Sequence, residues 1–281
     1  TCISVLLLTA IVVSLLTAMF SVRKNYEASL EQAYEEADCG EISINIETEK
    51  LTDALKESVE QSALVEDVKY TKALMTYGAK VGAKSEGNSY FMMELPEYVR
   101  LFSSSFDKLE EEIPPLSEGE IYLPYGLKAR LSCQVGDSVT MKLLHGKEET
   151  FVIKGFVQEV VQGGFNIGWK KVFISKADYD RLYEECKPLE ALGGARVDYT
   201  ILCVEQAKDS KLSVMKFQRK LNLETGIISA AMGTLNKEQT IKYTSLMPTL
   251  IMNIVSVFLV LLYAIVLIVM SHSINTEIEM E

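Results

Sequence analysis

Two histidines, His145 and His272, and five cysteines are the residues whose types most readily do chemistry in this chain. A histidine acts as a general base only beside a nucleophile or carboxylate, and as a metal ligand only in company. His145 stands in the turn signal "HGKE" and His272 lies just past a long apolar run, so neither has a spaced partner, and His145 reads as a solvated turn residue. Cys39, Cys133, Cys186 and Cys203 form no CxxC pair and no zinc spacing with His. Their even number permits two disulfides, and isolated buried thiols are an equal reading.

Phosphate chemistry fares no better. A nucleotide site needs a glycine-rich loop, a Lys and a magnesium-binding hydroxyl in one register. "HGKEET" has Glu after its Gly-Lys, and "QGGFNIGWK" has no hydroxyl after its Lys, so hydrolysis of ATP by this chain is not expected. The acidic run "KLEEEIPPLSEGE" matches no EF-hand spacing and reads as a solvated loop. Neither GxSxG nor HExxH occurs. No catalytic set, cofactor site or metal site is expected.

The chain's most specific features are instead its two apolar ends. The run from Met247 to Met270 carries no charge. At 1.5 Å rise per residue it is long enough to cross a hydrocarbon layer roughly 30 Å thick. The opening run, "TCISVLLLTAIVVSLLTAMF", has no small-residue cleavage site before the helical "SVRKNYEASLEQAYEEA" that follows, so a membrane helix is read here in preference to a signal peptide. Ala10, Ser14 and Ala18 recur every fourth residue in it, a stripe of small side chains where another helix can approach closely. In the second helix Asn253 and Ser256 share a face, and an amide at that depth turns toward protein. These five residues are the candidate helix-packing positions.

Every Lys and Arg lies between the two runs, yet the whole chain has a net charge of −11. That balance argues against nucleic acid and against a polybasic lipid-binding surface. Arg23 and Lys24 follow the first helix, but long domains translocate largely regardless of charge, so orientation stays open on this ground.

Within the middle, "EISINIE" reads as a half-buried strand, with Ile42, Ile44 and Ile46 on one side. "TEKLTDALKESVEQSA" reads as a helix with Thr48 as N-cap, and "VEDVKYTKALMTYGAKV" as a second strand. The pattern returns near the other end: strand "VDYTILCVE", a helix carrying Leu212, Met215, Phe217 and Leu221, and strand "TGIISAAMG". Between them lie the strand "GEIYLP", a hairpin around "HGKE", and "KKVFISKADYDRLYEE", a strand and a helix with Ser175 as N-cap. The expected fold class is therefore an α+β domain of split β-α-β halves with a β-rich insertion, flanked by two transmembrane helices with helical stalks; the resemblance described next is what makes that domain extracytoplasmic.

With this layout, "EGEIYLPYGLKARLSCQVGDSVTMKL" and "EETFVIKGFV" resemble a local pattern of the FtsX/MacB-like permeases of ABC transporters, in which Gly-Glu-Ile, a small helix, Val-Gly-Asp and an alternating strand succeed one another. The resemblance implies a membrane helix at 1–20 and a stalk at 21–38. It implies a first half-domain at 39–110, a β-rich insertion at 111–192 and a second half at 193–233. A return stalk at 234–245, a second membrane helix at 246–271 and the start of a cytoplasmic coupling segment at 272–281 complete the division. It further implies a bacterial cell membrane protein with residues 21–245 outside, acting as a dimer with a second permease copy. A cytoplasmic ABC ATPase would bind the ATP and Mg, and an accessory protein or a peptide or lipoprotein substrate would meet the outer domain. Such permeases continue through two more membrane helices, whereas "SINTEIEME" stops where the coupling segment begins, so either the sequence is a piece of a longer chain there or the resemblance fails; the opening inside an apolar run without Met leads to the expectation that the true N-terminus lies upstream. The alternative is a membrane-anchored extracellular ligand-binding sensor, which would carry a basic signalling segment after the second helix.

Overall fold

The structure is a computed structural model that describes the chain except residues 1, 38, 98, 104, 106, 107, 111, 144, 145, 164–168, 191–195 and 281, and for 2–6, 8 and 273–280 it describes the backbone alone. His145 and most of the "QGGFNIGW" loop therefore lie outside the described residues. The chain divides into two compact units: residues 1–32 with 245–281, and residues 33–244.

The first unit contains most of two long helices, α1 (Cys2–Ala37) and the last helix of the chain, Lys237–Met280. Among the described residues one segment, Lys237–His272, is long and apolar enough to cross a membrane, by length and composition. The span expected at 1–20 falls partly outside the described residues, and its reading as a membrane helix is a proposal.

The second unit is a mixed α/β structure on one large sheet. Its first half opens with β1 (Ile42–Glu47), α2 (Asp53–Glu60) and β2 (Val65–Val81). It closes with β9 (Asp198–Gln206), α5 (Val214–Thr225), a short α6 (Ile227–Ala230) and β10 (Gly233–Asn236), after which Lys237–Met280 follows as α7. Strand β9 lies between β1 and β2 and is antiparallel to both, while β1 lies between β9 and β10 and is antiparallel to both. The crossovers β1-α2-β2 and β9-α5-β10 are thus two interlocked split β-α-β units, a ferredoxin-like arrangement. The sheet's core on the helix side joins Ile42, Ile44, Ile46, Leu202 and Val204 to Val59 of α2 and to Phe217 and Leu221 of α5. Full burial of each such side chain contributes about 1.5–3 kcal/mol.

The insertion does not form a separate sheet. Its elements are β3 (Lys84–Met93), β4 (Arg100–Leu101), β5 (Glu120–Pro124), α3 (Tyr125–Leu131), β6 (Ser138–Lys142), β7 (Glu148–Gln158), β8 (Trp169–Ile174) and α4 (Lys176–Glu190). The strand order is β10-β1-β9-β2-β3-β8-β5-β7-β4, and β6 pairs with both β7 and the far end of β2. The pairings β2-β3-β8-β5-β7-β6-β2 therefore close a ring. Its interior is filled by Leu74, Met92, Ile121, Val139, Met141, Phe151 and Ile153, a packed core rather than a channel. On the opposite face of the sheet Met75, Phe91, Met93, Phe173, Tyr199 and Ile201 pack around Tyr34 and Ala37, the end of α1.

Several local expectations are corrected. Strand β1 is buried on both faces, with Ser43 at 1 % and Asn45 at 0 % exposure, because α1 and its neighbours cover the side that alternation assigns to solvent. The N-cap of α2 is Thr52, whose hydroxyl accepts from the Leu55 amide at 3.2 Å, while Thr48 starts a 3-10 turn and bonds Asp198 instead. "TGIISAAMG" is not a strand: Ile227–Ala230 is helical, and the strand is Gly233–Asn236. Leu212 precedes α5, and Met215 points outward at 52 % exposure. Ser175 does cap α4, accepting from the Asp178 amide at 3.1 Å. Cys39, Cys133, Cys186 and Cys203 are buried, and no disulfide joins them among the described residues.

Candidate functional site at the helix ends

The end of α1 and the start of α7 meet the same region of the second unit. Helix α7 begins with a capping box. Asn236 Oδ1 accepts from the Gln239 amide at 2.8 Å, and Gln239 Oε1 accepts from the Asn236 amide at 3.2 Å. Asn236 also belongs to β10, pairs with Ile42, and donates from Nδ2 to Gln218 of α5 at 2.6 Å. The residue that caps α7 is thereby tied at once to the sheet and to a domain helix.

Lys237 joins the two helix ends. Its Nζ lies 3.3 Å from the Glu35 carboxylate and 5.9 Å from the centroid of the Tyr34 ring, and its amide donates to the Glu41 carbonyl at 2.9 Å. One turn later the buried Thr240 hydroxyl donates to the Val161 carbonyl at 3.4 Å. Val161 sits in the turn after β7, which a charge holds from within: Glu159 accepts from the amides of Val161, at 3.3 Å, and of Gln162. The same carboxylate takes Lys171 Nζ at 3.0 Å, and both side chains of this ion pair are 0 % exposed.

The Glu35 carboxylate is largely exposed, and the interior behind it is closed. Tyr34 is 4 % exposed, its hydroxyl has no hydrogen-bond partner among the described residues, and its phenol is held well above the ordinary tyrosine value by burial and then by the neighbouring Cys39 and Cys203 thiols. Burial likewise pushes the Cys39 thiol up, so it stays neutral. At Gly40, φ is +71°, and a Cβ there would lie 2.6 Å from the Val204 carbonyl oxygen; only glycine lets the chain leave α1 so close to β9. Among the described residues no group of three His, Cys, Asp or Glu side chains could hold a metal ion. What the arrangement does is mechanical: it fixes two helix ends to one sheet through a capping box, an ion pair, a buried hydroxyl and a buried charge.

The packing positions read from sequence lie in the first unit. There Thr9 and Tyr263 share a hydrogen bond of 2.6 Å, and the Ser256 hydroxyl faces Met19 sulfur at 3.8 Å while donating to the Met252 carbonyl at 2.8 Å. The two contacts run in opposite senses along the helices, which makes the pair antiparallel. Ser256 is on the contacting face; Ala10, Ser14, Ala18 and Asn253 are exposed. The residues of α1 that turn inward are Thr9, Val12, Leu16 and Met19, at spacings of three and four. Sequence reasoning also passed over the capping box, although "NKEQ" carries its Asn-x-x-Gln spacing.

No family model and no curated protein matches the sequence. Among solved structures, similarity extends to a protein described as a lipoprotein from Bacillus anthracis, at 10 % identity over 69 % of this chain and 95 % of that one, with a TM-score of 0.37. It extends also to the periplasmic region of MacB from Actinobacillus actinomycetemcomitans, at 12 % identity over 70 % of this chain and 89 % of that one, with a TM-score of 0.34. Superpositions this loose leave the fold to rest on the chain's own strand pairing.

Proposed function

We propose that the chain is the N-terminal portion of an FtsX/MacB-type permease, a subunit that passes ATPase-driven motion through its membrane-proximal helices to an extracytoplasmic domain for export or signalling. The observation that carries this reading is the double fastening of α1 and α7 at Lys237, Thr240 and the Glu159 turn. An inert anchor needs one greasy helix and a slack linker; here both helix ends are built into the domain without a linker. The sequence pattern around Gly119-Glu120-Ile121 and Gly136-Asp137 supports the same assignment. In this reading the domain is outside the cell, ATP and Mg belong to a separate cytoplasmic ATPase, and the chain itself is not an enzyme. The exposed stripe of Ala10, Ser14 and Ala18, with Asn253, is left for helices of the full assembly, including a second copy.

The test is ATP turnover by the complex purified from its own membrane through a tag on this chain. Turnover should co-purify, and Lys237→Glu, which sets a like charge against Glu35, should change its rate by about two- to fivefold, the range expected of a part-exposed ion pair. Absence of co-purifying turnover, or a rate indifferent to the substitution, overturns the proposal.

A further inference from the structure

A groove of about 480 Å³ opens beside β2, between its Tyr70–Lys72 segment and the flank of α4. That volume falls within the range of small-ligand sites, about 300–1,000 Å³. The groove lies away from the helix ends: Tyr70 and Lys72 alternate along β2 with Ala73 and Met75, which belong to the core around Tyr34 on the other side of the sheet.

Its wall is aromatic. The rings of Tyr179 and Tyr183 stack with centroids 6.2 Å apart and planes inclined by 21°, and Tyr70 stands across from them, fixed by a hydrogen bond of 2.8 Å from its hydroxyl to Glu60 at the end of α2. Tyr179 is 5 % exposed and its hydroxyl has no hydrogen-bond partner among the described residues. Buried polar groups are nearly always satisfied, so an idle phenol lining a groove is a group awaiting a partner. Burial, and then the charges of Asp198, Glu94 and Asp180, hold that phenol above its ordinary value, so its oxygen stays neutral and faces a negative environment.

The rim already shows which charge it accepts. Lys176, 68 % exposed, reaches back to Asp180 at 2.8 Å and toward Glu94 at 3.8 Å. Glu184 adds a third carboxylate to this side of the groove, against which β2 sets a further lining cation, Lys72. A long, solvent-exposed lysine bridging two carboxylates is readily exchanged for another ammonium, since such exposed pairs hold weakly. Aromatic faces beside carboxylates are also the surroundings in which organic cations bind well.

We propose that this groove binds an organic ammonium, carried by a lysine side chain of a basic peptide or by a free polyamine, between the Tyr179–Tyr183 wall and the Glu94 and Asp180 carboxylates. The ammonium displaces Lys176, and the Tyr179 hydroxyl, sealed from solvent in this structure, accepts from it once the ring shifts toward the groove. The inference is independent of the permease reading and survives its failure.

The test is isothermal titration of the full chain in neutral maltoside micelles with tri-lysine and with spermidine, against fully acetylated tri-lysine and tri-glutamate as controls. Saturable binding of tri-lysine alone supports the proposal with a peptide as source; binding of spermidine supports it with the ammonium alone as the requirement. Tyr179→Phe, which leaves the charge unchanged and removes an unpaired buried hydroxyl, should weaken binding about three- to tenfold without lowering Tm. Glu94→Gln should weaken it at least about threefold, and the distant Asp209→Asn should not. Failure of both cations to bind at millimolar concentration overturns the proposal. So does equal weakening by Glu94→Gln and Asp209→Asn, which would mark diffuse attraction to an acidic chain, or an affinity indifferent to Tyr179→Phe.

Discussion

Glu159→Gln tests whether the buried charge under the helix ends is structural. In the native protein the Glu159 carboxylate takes Lys171 Nζ at 3.0 Å and the backbone amides of Val161 and Gln162, with both charged side chains 0 % exposed. Glutamine keeps one acceptor oxygen but sets an N–H₂ donor among three other donors, and leaves the Lys171 ammonium buried without its counter-charge. Breaking a buried pair from one side costs about 3–5 kcal/mol, most of it the penalty of the charge left behind. Glu159→Leu combined with Lys171→Met removes both charges: the amides of Val161 and Gln162 lose their acceptor at about 1–3 kcal/mol each, and replacing the buried pair by apolar side chains returns about 1–4 kcal/mol, so the net cost should be about 1–2 kcal/mol. The double substitution should therefore be milder than Glu159→Gln alone. The assay is urea unfolding followed by fluorescence of Trp169, the only tryptophan, which sits two residues before Lys171 in β8. A cost below about 1 kcal/mol for Glu159→Gln, or a double variant as unstable as the sum of the singles, refutes the reasoning.

Two further outcomes follow from the same interior. Lys170, the neighbour of Lys171 on the barrel side of the sheet, is fully buried, and burial, followed by the charge of Arg130, lowers its pKa from 10.5 to about 8. The folded state thus binds this proton less tightly than the unfolded chain, so a penalty of about 3 kcal/mol is present in full below pH 8 and is relieved as pH rises toward 10.5. Lys170→Met should be more stable than the native chain at pH 7, with the difference shrinking by pH 10; a difference constant across that window in denaturant titrations would contradict this. At Gly40, alanine meets both a left-handed φ of +71° and the Val204 carbonyl oxygen at 2.6 Å, and should cost at least about 2 kcal/mol by thermal unfolding.

Much of this architecture is legible in sequence because hydrophobic periodicity is local. Val65–Val81 and Asp198–Gln206 announce themselves by β-branched and aromatic content, and the Ser175 cap by its position before an acidic first turn. Ring closure is not local. It depends on Ala79 pairing with Met141 and Ser89 with Trp169, partners that no window of ten residues contains. Burial of polar residues is also invisible to alternation: Ser43 and Asn45 occupy the positions that period two gives to water, and only the arrival of α1 covers them. The candidate site was obscured for a related reason, since its members Glu35, Glu159, Lys171, Lys237 and Thr240 come from four separate stretches and each alone reads as an ordinary surface charge or hydroxyl.

One strand gives the two sites a physical relation. Along β2, Tyr70 and Lys72 line the groove while Ala73 and Met75 pack in the core that contains Tyr34 at the end of α1. Strand β2 also pairs with β9, β3 and β6, so it is held on both edges and moves only with the sheet. Close-packed interiors transmit displacement instead of absorbing it. A shift of the α1 end against Met75 is therefore borne by the same backbone that positions Tyr70, and a ligand that clamps Tyr70 toward Tyr183 bears on the residues beneath the helix ends. Because coupling is reciprocal in free energy, a groove ligand that favours one position of the helix ends is itself held more tightly in that position.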